Sequence, residues 1–218
     1  MYQSLYENLL KRISIVAFIC GLLSLVFYIL HDYIGGLYYP GYDRMSQAVS
    51  DLTALDAPSY AISRSYSSIY GIFCIACCLL LCLAFGKAHK LLKLGVICFT
   101  VMQLVSAVGY SLFPLTGSGY DGSTGSFIHV YVLTVAVVAL SILSLVLIAI
   151  GSFKDRLKLL GILAIIALAC MFFGAAGSGS IAHEYFGIVE RFSTYSAVAF
   201  TAVLAVFALF KNATKKNS

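Results

Sequence analysis

Six long apolar runs recur along the chain, near residues 13–31, 62–86, 91–113, 127–151, 157–177 and 186–210, and most charged residues fall between them or at their ends. Each run is about as long as, or longer than, the roughly 18 apolar residues that let a helix cross the hydrocarbon core, so the pattern predicts six transmembrane α-helices. Stretches such as Ile142 to Ile150 are apolar throughout, without the strict alternation of a membrane β-barrel strand. The first run follows Lys11 and Arg12 and ends in His31, Asp32 and Tyr33 rather than in small residues. That favours a retained helix over a cleaved leader.

A shorter pattern lies between the first two runs. Met45, Val49 and Leu52 repeat at helical spacing, while Asp43, Ser46, Gln47 and Ser50 fall on another face. Pro40 and Gly41 precede this segment, and Asp56, Ala57 and Pro58 follow it, so a short amphipathic helix lying on or dipping into the outer surface is expected. The expected architecture is all-α: residues 1–218 form one transmembrane domain, a bundle of six helices.

Composition reinforces the class. The chain is 61% hydrophobic and 11% charged, with mean hydropathy +0.97, against about 25% charged in a soluble domain. Eleven of the 14 Lys and Arg residues lie on one side of the expected topology: Lys11, Arg12, Lys87, Lys90, Lys93, Lys154, Arg156, Lys158, Lys211, Lys215 and Lys216. Only Arg44, Arg64 and Arg191 lie on the other. Cytoplasmic loops hold the excess of basic residues, so both termini are expected in the cytoplasm of a multi-pass cell-membrane protein, with a prokaryotic plasma membrane as the expected location. The net charge of +5 is therefore topological. Its division among four short segments argues against nucleic-acid binding, and Lys211, Lys215 and Lys216 are too few for a polybasic lipid switch.

Acidic residues show the opposite bias: Asp32, Asp43, Asp51, Asp56, Asp121, Glu184 and Glu190 map outside, as do His31, His129, His183 and 13 of 15 tyrosines. Orientation does not require this, so chemistry is expected on that face. Its three segments are Gly35 to Ser63, the glycine- and serine-rich turn from Phe113 to Ser123, and Gly177 to Arg191. If the sixth helix begins early enough, His183, Gly187, Glu190 and Arg191 share a helical face by spacing, and Arg191 is expected to pair with Asp43, Asp51 or Glu190. One reading of these groups is an ion-pair network that pins the outer loops. Another takes His129 and His183 with one of the carboxylates as a site for zinc or another divalent metal. A serine nucleophile, Ser46 or Ser50, lacks the Gly-x-Ser-x-Gly elbow. His31 and His89 read as interfacial residues with ordinary solvation. The seven cysteines all fall in expected spans, where they act as small packing residues. Ser63, Ser67 and Gly71, and Gly174 with Ser178, mark close helix contacts.

The run from Tyr39 to Pro58 (YPGYDRMSQAVSDLTALDAP), Phe113-Pro114 followed by His129, and Gly187 to Arg191 (GIVER) together resemble the domain-of-unknown-function 998 family. Its members are small, mostly prokaryotic membrane proteins with six helices. The resemblance covers nearly the whole chain and implies no defined activity. It marks Ser46, Ser50, Asp51, Pro114, His129, Glu190 and Arg191 as the positions to test. A looser likeness to the Frag1/DRAM/Sfk1 group implies membrane organisation and lipid handling.

Three functions follow as expectations. The first is binding or handling a membrane lipid or small amphiphile in a tyrosine-rich outer cavity, through Asp43, Ser46, Ser50, Asp51, His129, His183, Glu190 and Arg191. The second is a membrane-embedded metal-dependent hydrolase using His129 and His183. The third is a structural or accessory subunit with a protein partner not specified by the sequence.

Overall fold

The computed structural model describes residues 2–177 and 182–213, except the side chain of His183, and contains no strand among them. Six helices are long and apolar enough to cross a membrane: α1 (Tyr2–Leu37), α2 (Tyr60–Ala84), α3 (Lys90–Leu112), α4 (Thr124–Lys154), α5 (Lys158–Gly177) and α6 (Phe186–Ala213). The chain is a multi-pass membrane protein. At 36 residues, α1 begins well before the apolar run. With a rise of 1.5 Å per residue it extends about 54 Å, beyond the roughly 30 Å hydrocarbon core. Its polar first turns, with Gln3 bonded to Glu7 at 3.3 Å, project at the lysine-rich end.

Successive helices pack as neighbours, and α6 closes the ring against α1 while also touching α2. Phe85, Leu92, Phe99, Met102, Leu145, Ile148 and Leu204 fill the centre together with Cys74, Cys77 and Cys78, which are free thiols used as packing residues. Between α3 and α4 the backbones nearly touch. A Cβ on Gly151 would lie 2.1 Å from the Leu92 amide, and one on Gly95 would lie 2.7 Å from the Ile148 amide. Small residues permit this approach where lipid supplies no hydrophobic drive between helices.

Asp155 ties the lysine-rich end together. Its carboxylate accepts the His89 N–H at 3.0 and 3.1 Å and the Lys211 ammonium at 2.9 Å, joining the α2–α3 turn, the α4–α5 turn and α6. Burial raises this carboxyl, but Lys211 and the His89 amide outweigh it and hold it below the usual carboxylate range.

The opposite end carries the long connections. The expected amphipathic helix is present as one 3-10 turn, Ser50–Thr53. Val49 and Leu52 are buried beside Tyr28 and Val198, whereas Met45 is exposed. Of the two expected placements, on the outer surface or dipping into it, the segment takes the second: it folds into the mouth of the bundle. Gly119 and Gly122, at φ +75° and +87°, turn the connection between α3 and α4. Beyond it, α4 opens with one α-helical turn, Thr124–Phe127, followed by a π-helical stretch, Ile128–Leu133.

Candidate functional site

The mouth of the bundle is organised by one ion pair. α1 buries a stripe at i, i+3, i+4, i+7, namely Tyr28, His31, Asp32 and Gly35. Asp32 thereby faces α6, where Arg191 grips it bidentately: Nε donates to Oδ2 at 3.0 Å and Nη2 to Oδ1 at 2.8 Å. The Tyr195 hydroxyl, one helical turn further along α6, donates to Oδ2 at 2.8 Å. The side chains of Arg191 and Asp32 are 14% and 7% exposed, so the pair is largely desolvated.

Arg191 also holds the connection between α1 and α2. Its Nη1 donates to the carbonyls of Arg44, Gln47 and Gly187 at 2.9, 3.0 and 2.9 Å, and Nη2 donates to the Tyr42 hydroxyl at 2.8 Å. Tyr42 passes its own proton to the Ala48 carbonyl at 2.7 Å. Burial pushes the Tyr42 phenol above its usual value against the opposing pull of Arg191, so it stays a neutral donor. Gly187 makes the docking possible: a Cβ there would lie 2.3 Å from the Gln47 carbonyl oxygen and 2.6 Å from that of Arg44. Without a side chain in the way, the Ile188 amide reaches the Met45 carbonyl at 3.2 Å.

The partner of Arg191 is thus Asp32, not the expected Asp43, Asp51 or Glu190. Those three carboxylates serve the connection's own backbone. Asp43 takes the Met45 amide at 2.9 Å and the Ser46 hydroxyl at 2.8 Å, which hold it below the usual carboxylate range. Asp51 takes the Ala48 amide at 3.3 Å and the Ser118 hydroxyl at 3.0 Å, and Glu190 takes the Val49 amide at 3.2 Å. Two backbone bonds, Leu55 to Leu115 at 2.9 Å and Asp56 to Thr116 at 3.0 Å, fasten the α3–α4 connection to the same platform.

An open groove of about 390 Å³ lies between α1 and α6 beneath the connection. Ile29, Tyr33, Met45, Ile188 and Tyr195 form its apolar and aromatic walls, and Asp32, Arg44 and Arg191 form its polar part. Ile29 and Tyr33 are 44% and 53% exposed on α1, so the groove opens sideways from the helix surface. Arg44 spans the mouth. It donates through Nη2 to the Tyr33 carbonyl at 3.1 Å and that of Asp32 at 3.4 Å, while its Nε stays 3.9 Å from Asp32 Oδ1. Its side chain is 42% exposed and its guanidinium lies 5.1 Å from the centre of the Tyr33 ring.

The structure thus brings Asp43, Ser46, Asp51, Glu190 and Arg191 around one connection. Ser50 lies in the same connection, where its carbonyl accepts from the Thr53 hydroxyl at 3.1 Å. His129, in the π-helical stretch, bonds through Nδ1 to the Phe113 carbonyl at 2.7 Å and stacks on Tyr110 with centroids 4.5 Å apart. The side chain of His183 lies outside the described residues. Among the described residues, no three His, Cys, Asp or Glu side chains converge as a metal-ligand set. His31 is not the solvated interfacial residue expected: it is 4% exposed, edge-on to Tyr28 at 5.8 Å, with neither ring nitrogen hydrogen-bonded among the described residues.

Asp32, Tyr42, Arg44 and Tyr195 were missed as site residues. For Asp32 a signal existed, since its spacing with Tyr28 and Gly35 marks an inward stripe, and an ionisable group there needs a partner. No sequence period links Tyr42 or Arg44 to α6.

A family model described as "Protein of unknown function (DUF998)" matches residues 18–207, which contain every site residue described above. No curated protein and no solved structure matches the chain.

Proposed function

The chain belongs to the DUF998 family, and because membership carries no activity with it, we propose from the groove alone that the protein binds a lipid or small amphiphile between α1 and α6. The observation that carries this reading is the groove of about 390 Å³ that opens sideways, with an apolar wall at Ile29 and Ile188 and guanidinium groups at one end. An amphiphile matches that division, with its chain along the helix surface and its polar end at the mouth. Tyr33, 53% exposed, suits such a boundary, having an apolar ring and a wet hydroxyl, while Tyr195 adds an apolar ring to the wall. The basic bias of the opposite end supports a cytoplasmic location for both termini and, with it, a groove that faces the outer leaflet.

The test is analysis of lipid extracted from detergent-purified wild type beside Ile29→Trp and Ile188→Trp, which fill the groove from either wall. A defined lipid near one equivalent in wild type, depleted in both variants, is expected. Equal, unselective lipid in all three would refute the reading.

A second reading has its own support. All six Arg191 hydrogen bonds end on protein groups, as befits a structural clamp that shapes the groove. A metal-dependent hydrolase draws less support, since His129 is committed to a backbone carbonyl. Near-stoichiometric zinc in purified wild type, lost on His129→Ala, would favour that function instead.

A further inference from the structure

Resting on the groove reading above, we infer that the occupant is an anionic phospholipid of the surrounding bilayer, its headgroup held by Arg44 at the mouth of the groove. Two guanidinium groups and one carboxylate line the groove, leaving one uncompensated positive charge. Arg191 is neutralised by its bidentate bond to Asp32. Arg44 is not: its side chain is 42% exposed, its Nε is 3.9 Å from the nearest carboxylate oxygen, and its hydrogen bonds leave through Nη2 alone.

Among the groups lining the groove, guanidiniums outnumber carboxylates two to one, and the one carboxylate is already engaged. Both Asp32 oxygens already accept from Arg191, and Oδ2 also accepts from Tyr195. Asp43, beside Arg44 in the chain, has its oxygens on the Met45 amide and the Ser46 hydroxyl. A zwitterionic head would bring an ammonium against two guanidiniums and one already paired carboxylate, whereas an anionic head meets the exposed Arg44. Arginine suits phosphate because its donors form a planar fork.

Geometry favours a bilayer lipid over a soluble anion. Ile29 and Tyr33, one turn apart and both exposed, form one wall. Four residues of helix rise about 6 Å, so an acyl chain passes along Ile29 while the phosphate stays level with Tyr33 and Arg44. A soluble anion would have no use for the apolar wall.

The test uses the full chain in an uncharged detergent, offered equal amounts of phosphatidylglycerol and phosphatidylcholine with identical acyl chains, with retained lipid read by native mass spectrometry. Wild type is expected to retain phosphatidylglycerol over phosphatidylcholine about tenfold, equivalent to about 1.4 kcal/mol. Arg44→Gln should bring the ratio to about one, Arg44→Lys should keep most of it, and Arg64→Gln, away from the groove, should leave it unchanged. On the wild type itself, the ratio should fall as salt rises from about 0.05 to about 1 M.

Equal retention of both lipids by wild type, abolished for both by Ile29→Trp, would overturn the headgroup inference and leave the groove reading intact. Retention by wild type no greater than by Ile29→Trp would overturn the groove reading. A tenfold preference surviving in Arg44→Gln, or undiminished at high salt, would overturn the assignment to Arg44.

Discussion

Replacing Arg191 by Gln tests the clamp most directly. The substitution removes the charge paired with Asp32 and empties six hydrogen bonds: two to Asp32, one to Tyr42 and three to carbonyls of Arg44, Gln47 and Gly187. Asp32, with a side chain 7% exposed, would keep the Tyr195 hydroxyl at 2.8 Å and an arginine at 3.9 Å. Breaking a buried pair from one side costs about 3–5 kcal/mol, chiefly because the abandoned charge stays desolvated. For a chain of this length, 1 kcal/mol moves the melting temperature about 2–4 °C, so the expected fall is roughly 6–20 °C. Asp32→Asn should cost less, about 1.5–3 kcal/mol, since Arg191 keeps its carbonyl partners. The double variant should cost clearly less than the sum, with a coupling of at least about 1.5 kcal/mol. The chain has no tryptophan, but Cys74, Cys77 and Cys78 are buried and free, so a thiol-reactive fluorophore reports core exposure during heating. A melting temperature for Arg191→Gln within about 2 °C of wild type, or additivity in the double variant, would refute the clamp.

Other substitutions probe separate parts of the argument. Gly187→Ala should cost about 1–3 kcal/mol, because its methyl meets two backbone oxygens. Gly71→Ala, whose Cβ would sit 3.8 Å from Ala107, should be neutral or stabilising by up to about 1 kcal/mol; the same melting assay compares them. Asp155→Asn should lower stability near pH 7 by about 1–2 kcal/mol. Because the folded carboxyl lies below its ordinary value, that stabilisation is present above about pH 4 and is lost as pH falls through the folded value. Melting curves of wild type and variant should therefore converge in acid, and a gap unchanged down to about pH 2 would contradict the Lys211 and His89 bonds. Ser118→Ala removes one tie between the two connections, the 3.0 Å bond to Asp51. It should speed proteolytic cleavage between residues 113 and 123 with a cost of about 0.5–1.5 kcal/mol, and an unchanged cleavage rate would show that the tie does not hold the connection.

The sequence by itself determined the all-helical membrane class and the six spans, because crossing hydrocarbon is a demand each helix meets with its own twenty or so residues. It also pointed to the polar end, since seven acidic residues, three histidines and 13 of 15 tyrosines map there by simple counting, and it marked Val49 and Leu52 as an apolar face. What the tertiary structure decided was pairing. Arg191 had several carboxylates within plausible reach, and only the closing of the ring, α6 against α1, put Asp32 in front of it, 159 residues away. The groove belongs to that same level. It exists because Gly187 lets the connection settle on α6 and leaves a gap above Ile29, and no residue's own chemistry records a gap between two helices. Hydropathy is a sum over neighbours in the chain, whereas partner choice and cavity shape depend on how separate helices pack, which local sequence does not encode.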